Sequence, residues 1–308
     1  MNQSLTKTIL LIINSFYAFT CIVGIISNIL TMLIFSRKKF KKTIFSTYFR
    51  IMSLLAIITL LYRIEYLFGT FRVFTYRNKS SFLCKMNTYL VYAISPLPNW
   101  ILVLIAIDRF LSISKPTKFM IRKKAKFQVI ASISLILFDI LYYVPIIFFS
   151  DIPDLYKNQT VPYTNLISIC KPEKFYNWFI TFHTVEIPFI IMIIFTILTV
   201  NSLFKSRRNS STAKSTLTKS KDTKFAITSI TLNLLFFVLS FPLSMYLILK
   251  NFVLLDVDVD YLLSSLFGVL FYFNNAVLLY TNLIVNSTFR NEFILFFNEL
   301  KLKLFVNL

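Results

Sequence analysis

Residues 88–110 read TYLVYAISPLPNWILVLIAIDRF, and no charged residue stands between Lys85 and Asp108. A run of this kind is long enough for an α-helix to cross a hydrocarbon core roughly 30 Å thick, which takes about 20 apolar residues. Outward from it, six more runs of similar length are bounded by charge clusters. Together they predict seven spans at 9–35, 44–69, 83–108, 127–149, 178–204, 224–249 and 261–285. The expected fold class is an all-α membrane protein, a seven-transmembrane helix bundle forming one domain over residues 1–308. Composition agrees: the 308 residues are 56% apolar and 17% aromatic with only three glycines. The mean hydropathy of +0.70 is too high for an ordinary soluble domain.

Beyond the last span, Phe289, Phe293, Phe296, Phe297 and Leu300 recur at helical spacing while Arg290, Glu292, Asn298, Glu299 and Lys301 are polar. This pattern predicts an amphipathic cytoplasmic helix over 287–305, lying along the membrane surface.

The chain carries 33 Lys+Arg against 13 Asp+Glu, a formal charge of +20. A basic total of that size suggests nucleic-acid binding, but its distribution excludes that partner, because the basic residues fall in short runs between apolar segments. They alternate by loop. The first connection holds Arg37, Lys38, Lys39, Lys41 and Lys42, the third Lys115 to Lys126, and the fifth Lys205 to Lys224, whereas the fourth and sixth carry Asp151, Asp154 and Glu173, and Asp256, Asp258 and Asp260. Cytoplasmic loops are enriched in Lys and Arg, so the odd connections belong inside and the N-terminus outside. The expected location is the plasma membrane, with the C-terminus cytoplasmic. No cleavable signal peptide is expected, the first span serving as its own insertion signal.

Glycosylation sequons at Asn2, Asn78 and Asn158 fall on the predicted outer side, although Asn209 and Asn286 start sequons on the inner side. Cys84 opens the third span on the outer side and Cys170 lies in the second outer loop, where an oxidising compartment permits a disulfide; Cys21 is left over as a buried apolar residue.

An enzyme is not expected. One histidine and no clustered Cys, Asp or Glu offer little for a metal site or a triad, and Gly24, Gly69 and Gly268 are too scattered for a phosphate-cradling loop. No metal or cofactor is expected either. A membrane transporter or ligand-gated channel is the alternative class, since charged residues within spans can mark a permeation path, but the repeated halves and broken helices of transporters are not evident.

The string Ile107-Asp108-Arg109-Phe110 followed by Lys115-Pro116 carries a family resemblance. It resembles the end of the third helix in rhodopsin-like (class A) G-protein-coupled receptors, Asp/Glu-Arg-Tyr, with Phe110 in place of the tyrosine. The resemblance implies that Arg109 turns inward on activation to meet a heterotrimeric G protein, with Asp108 as its restraint. It continues along the chain in Gly24-x-x-Ser27-Asn28, where Asn28 is the polar anchor of the first span, and in Leu55-Ala56, although Thr59 replaces the acid that binds sodium in relatives. Pro188, Phe236 and Pro242 match helix-bending positions, where proline removes a backbone hydrogen bond and leaves a hinge. The departures are equally plain. Ser240 stands where relatives place a tryptophan, the fourth-span tryptophan is missing, and Leu278 to Asn282 aligns with Asn-Pro-x-x-Tyr without its diagnostic residues, leaving Asn274 as the upstream polar match.

The resemblance implies an extracellular ligand. Val91 replaces the acid of amine-binding members, which disfavours a monoamine and leaves a peptide, or a chemosensory small molecule. Ionisable residues in spans usually face the bundle and have partners, so Arg63, Glu65, His183 and Glu186, with Asn99, are the ligand-pocket candidates. The alternative is that Arg63 and Glu65 pair or snorkel and that His183 is a packing residue. Asp139 is expected to be a structural hydrogen-bonding group. In the fifth connection, Arg207-Arg208-Asn209-Ser210 suits a kinase that prefers upstream basic residues, making Ser210 a candidate phosphorylation site.

Overall fold

A computed structural model of the protein describes residues 3–41, 46–70, 81–114, 125–151, 171–172, 174–208, 216–250, 252–253 and 256–306. Its helices are α1 (Gln3–Phe35), α2 (Lys38–Lys41), α3 (Ser46–Thr70), α4 (Ser81–Ile94), α5 (Leu97–Ser114), α6 (Ala125–Tyr142), α7 (Pro145–Phe149), α8 (Lys174–Thr181), α9 (Ile187–Arg208), α10 (Thr216–Leu249), α11 (Val257–Phe273), α12 (Leu278–Val285) and α13 (Ser287–Val306), with a π-helical turn at Phe182–Glu186. Two short strands, β1 (Ser150–Asp151) and β2 (Lys171–Pro172), pair antiparallel. Six helical segments among the described residues are long and apolar enough to cross a membrane, and the bent pair α11 and α12 makes a seventh.

Proline explains most of the interruptions. Pro96 and Pro98 lack the N–H groups that would continue α4 into α5, so the third span breaks at Ser95–Pro96 and restarts with bonds from Asn99 and Trp100 to the Pro96 carbonyl, at 3.0 and 3.1 Å. Pro145 opens α7, where the missing donor would have been an orphan in any case. In the fifth span, Pro188 cannot donate to Thr184. The turn before it widens into a π-helix, in which the Ile187 N–H reaches back to the Phe182 carbonyl. Pro242 lies within α10, which continues through it.

The seventh span bends by 47° without a proline. Asn275 and Ala276 donate instead to carbonyls three residues back, at 3.0 and 2.8 Å. The carbonyls left over are taken by the first span, Asn28 Nδ2 donating to the Asn275 oxygen at 2.7 Å and Ser27 Oγ to that of Ala276 at 3.2 Å. Gly24 allows that approach, since a Cβ there would lie 2.6 Å from Leu60 Cδ1 and 3.1 Å from Ala276 Cβ.

α5 packs on α3, α9 and α10, while α1 packs on α3 and α11. The third span is the central strut, with 61% of its apolar window buried against 17% for the fifth. On α1, the outward face carries Leu11, Ile12, Phe16, Phe19, Ile22, Ile26, Ile29 and Leu33 at helical spacing. That stripe is unsuited to water and suited to lipid, where packing and hydrogen bonds rather than hydrophobic burial hold helices together.

Candidate functional site

The Asp108–Arg109 pair lies at the end of the third span, and both residues are almost fully buried, at 2% and 1% exposure. The Arg109 guanidinium carbon lies 5.2 Å from the ring centroid of Phe225, near the start of the apolar part of α10. A cation facing an aromatic ring is attracted by about 0.5–2 kcal/mol, depending on desolvation. Phe110 packs its ring 5.7 Å from Phe195 of α9. Arg109 thus meets the sixth span through Phe225.

The next layer joins the breaks in the third and seventh spans. Thr59 Oγ1 donates to its own helix at Leu55 O, 2.9 Å, and lies 3.3 Å from the Ile94 carbonyl. Ile94 O is the acceptor that Pro98, four residues on, cannot serve. The Ser95 and Tyr272 hydroxyls are 3.0 Å apart, and Arg63 lies over the Tyr272 ring at 4.3 Å. Asn274 Nδ2 makes a long 3.5 Å contact with Asn99 Oδ1.

The remaining pocket candidates separate. The π turn at Phe182–Glu186 holds His183 against the fourth span. Its Nδ1 is 3.0 Å from the Tyr143 hydroxyl and 3.5 Å from Asp139 Oδ1, and its ring stacks on Tyr142 at 4.1 Å. Glu186, one turn on, faces the sixth span and accepts from the Ser244 hydroxyl. It lines a cleft of about 190 Å³, counting the open mouth, with Ser240 and Ser244 among Phe189, Phe237 and Phe241. Arg63 and Asn99 contact the seventh span, His183 the fourth and Glu186 the sixth. The Glu65 and Cys84 side chains lie outside the described residues, as do Cys170, Asn2, Asn78, Asn158 and Ser210.

Sequence reasoning missed two arrangements. It placed Asp139 and His183 in separate spans without joining them, although two intramembrane ionisable groups are natural partners. It also missed a clamp between the first connection and α13. Arg37 donates through Nε to Glu292 at 2.8 Å and in a fork to Glu299 at 2.6 and 3.0 Å, while Lys39 lies 3.0 Å from Glu292. Glu292 and Glu299 are seven residues apart, two helical turns on one face. Burial pushes the Glu292 carboxyl up, but bonds from Lys39 and Arg37 outweigh it and hold the group below the usual range. The bond from Arg37 lowers Glu299 as well, and the same bond is the largest cause raising Arg37. The joint between α12 and α13 is capped on both sides, by Asn286 Oδ1 accepting the Phe289 N–H at 3.2 Å and by Arg290 donating to the Leu283 carbonyl at 3.3 Å.

The profile described as 7 transmembrane receptor (rhodopsin family) matches residues 27–280. The chain matches none of the curated proteins compared with it.

Proposed function

Since this multi-pass membrane chain belongs to the rhodopsin family of seven-transmembrane receptors, a family of signalling receptors, we propose that it converts an extracellular ligand into activation of a heterotrimeric G protein. The observation that carries this reading is the burial of Arg109 beneath Phe225, at 1% exposure. Buried, the arginine is withheld from any partner in the cytoplasm. A ligand that binds better to a state with α10 moved outward shifts the population toward an exposed Arg109, by as much as its difference in affinity for the two states. Asp108 serves as the restraint in the resting state, and Pro188 and Pro242 supply the bends about which the fifth and sixth spans adjust.

In this reading the chain sits in the plasma membrane with its N-terminus outside, so the basic odd connections frame the docking surface. The Arg37 clamp anchors α13 along the inner face, as a surface helix would require. Asn2, Asn78 and Asn158 are the glycosylation sites and Ser210 the phosphorylation site. Cys84 and Cys170 form the outer disulfide. In support, β2 begins at Lys171, directly after Cys170, and pairs with β1, which packs on the helix that carries Cys84. Val91 and the acidic outer connections favour a peptide over a monoamine. Asn28 and Asn274 act as polar anchors of the switch, supported by the bond from Asn28 to the seventh-span break.

The test is G-protein activation in cells expressing the chain at the surface, across a panel of transducer sensors and candidate peptides, beside Arg109→Ala at matched expression. A basal or ligand-driven signal that disappears in Arg109→Ala is expected. Ionic current or solute uptake with no transducer signal would favour the channel or transporter class, which the family match disfavours.

A further inference from the structure

Phe40 belongs to the first inner connection, in the middle of a basic run, yet its ring is fully buried at 0% exposure while Lys38 and Lys39 beside it are exposed. Its N–H donates to the Arg37 carbonyl at 2.9 Å, a tight turn that returns one apolar side chain to the bundle.

That ring meets three helices. Its centroid lies 5.0 Å from Phe35 of α1, 6.3 Å from Phe289 of α13 and 6.4 Å from Phe225 of α10, edge-on to Phe35 and Phe225. Phe225 is the ring that faces the Arg109 guanidinium at 5.2 Å, and it is itself only 3% exposed. A continuous line of buried rings therefore runs from α1 and α13 through Phe40 and Phe225 to Arg109. Aromatic pairs at these separations have a preferred geometry, so each ring limits where the next can sit.

Charge fastens Phe40 from the other side. Arg37 and Lys39 both reach Glu292 of α13, at 2.8 and 3.0 Å. Glu292 lies three residues after Phe289, which puts the two on one face of α13. The same face thus supplies a ring for Phe40 and an acceptor for the two bases that precede it. Glu292 is 6% exposed, and a carboxylate bridged at that depth by two cations is a firmer anchor than a passing surface pair.

We propose that Phe40 is a positioning residue for Arg109: the first inner connection, fastened to α13 through Glu292, seats Phe225 over the arginine and keeps it covered at rest. The cover is a property of the chain itself, and its consequence for signalling rests on the receptor reading above.

The test uses the full chain in lipid nanodiscs, treated with phenylglyoxal, which modifies exposed arginines, and with a maleimide, which modifies exposed thiols. Mass spectrometry reads Arg109 and Cys21 separately, and both are covered in the wild type, at 1% and 0% exposure. Phe40→Ala should raise the rate of Arg109 modification about two- to ten-fold, the factor that corresponds to one lost aromatic pair, and leave Cys21 protected. Phe40→Leu, which keeps an apolar side chain for folding and loses the ring, should give a rise of the same sign. Glu292→Gln, which leaves every ring in place, should give about two-fold. Phe225→Ala should uncover Arg109 directly, and adding Phe40→Ala to it should change little, because the ring through which Phe40 acts is gone. Arg109 modified at the wild-type rate in both Phe40 variants would overturn the proposal. So would a rise matched by Cys21, the mark of a loosened bundle, or independent effects of Phe40→Ala and Phe225→Ala. Basal nucleotide exchange on purified G proteins should rise with Arg109 exposure. Exposure that rises in the Phe40 variants without any exchange would support this inference and count against the receptor reading.

Discussion

Thr59→Val removes one hydroxyl and keeps the shape of the side chain. In the wild type, Thr59 Oγ1 is fully enclosed, at 1% exposure, and reaches the Ile94 carbonyl at 3.3 Å. That carbonyl has no helical donor because residue 98 is proline. The one Thr59 proton is shared with the Leu55 carbonyl at 2.9 Å, and valine removes both branches, leaving the Ile94 carbonyl without a donor. Interhelical hydrogen bonds in membranes are worth about 0.6 kcal/mol on average and up to about 1.7, and the full cost of a buried unsatisfied acceptor is about 1–3. The expected loss is therefore about 1–2 kcal/mol, or about 2–8 °C in unfolding temperature at about 2–4 °C per kcal/mol. Thermal unfolding of the purified receptor can be followed by a thiol-reactive dye, since the Cys21 thiol is buried at 0% exposure and reacts only on unfolding. A double-mutant cycle supplies the control. Pro98→Ala restores the missing N–H, so Thr59→Val made on that background should cost less than half as much. A Thr59→Val receptor as stable as wild type, or a strictly additive cycle, would refute the assignment of this hydroxyl to the break.

Three further outcomes follow from the same geometry. Gly24→Val should destabilise by about 1–3 kcal/mol through overpacking against Leu60 and Ala276, measured as lost surface expression and a lower unfolding temperature. His183→Leu should cost about 1–3 kcal/mol by leaving the buried Asp139 carboxyl and Tyr143 hydroxyl without their polar neighbour, and the double variant with Asp139→Leu should recover part of it; equal stability of the single and double variants would count against the pair. Glu292 has a folded-state pKa below its ordinary 4.5, so its contribution is present above that value and is lost as pH falls through the depressed one. The stability gap between wild type and Glu292→Gln should accordingly be open at pH 7 and closed in strong acid, and a gap unchanged by pH would show that the Arg37 clamp carries no charge-dependent stability.

The spans were legible because a bilayer imposes length and apolarity on every crossing segment, a constraint visible in a single sequence. The proline interruptions were only partly so. Pro188 and Pro242 announce hinges, but that Pro188 would be met by a π turn, which holds His183 against Asp139, depends on the fourth span lying alongside. The bend at Asn274–Val277 was not legible at all. No proline marks it, and its spare carbonyls are served by Ser27 and Asn28, some 250 residues away in sequence. The ligand-pocket candidates were chosen by residue type, which finds ionisable groups and says nothing about the direction each one faces. Arg63 lies over Tyr272 while Glu186 faces Ser244, a difference set by helix rotation and packing.

The central claim is that Arg109, covered by Phe225 at rest, is the contact through which this receptor activates a G protein. The most direct measurement is nucleotide exchange on purified G proteins of each class, catalysed by the receptor in nanodiscs and by its Arg109→Ala variant at equal amounts and equal unfolding temperature. At least one class should exchange faster with the wild type than with empty discs, and Arg109→Ala should return it to the empty-disc rate. Exchange that persists unchanged in Arg109→Ala, or a wild type that accelerates none of the classes, would contradict the account.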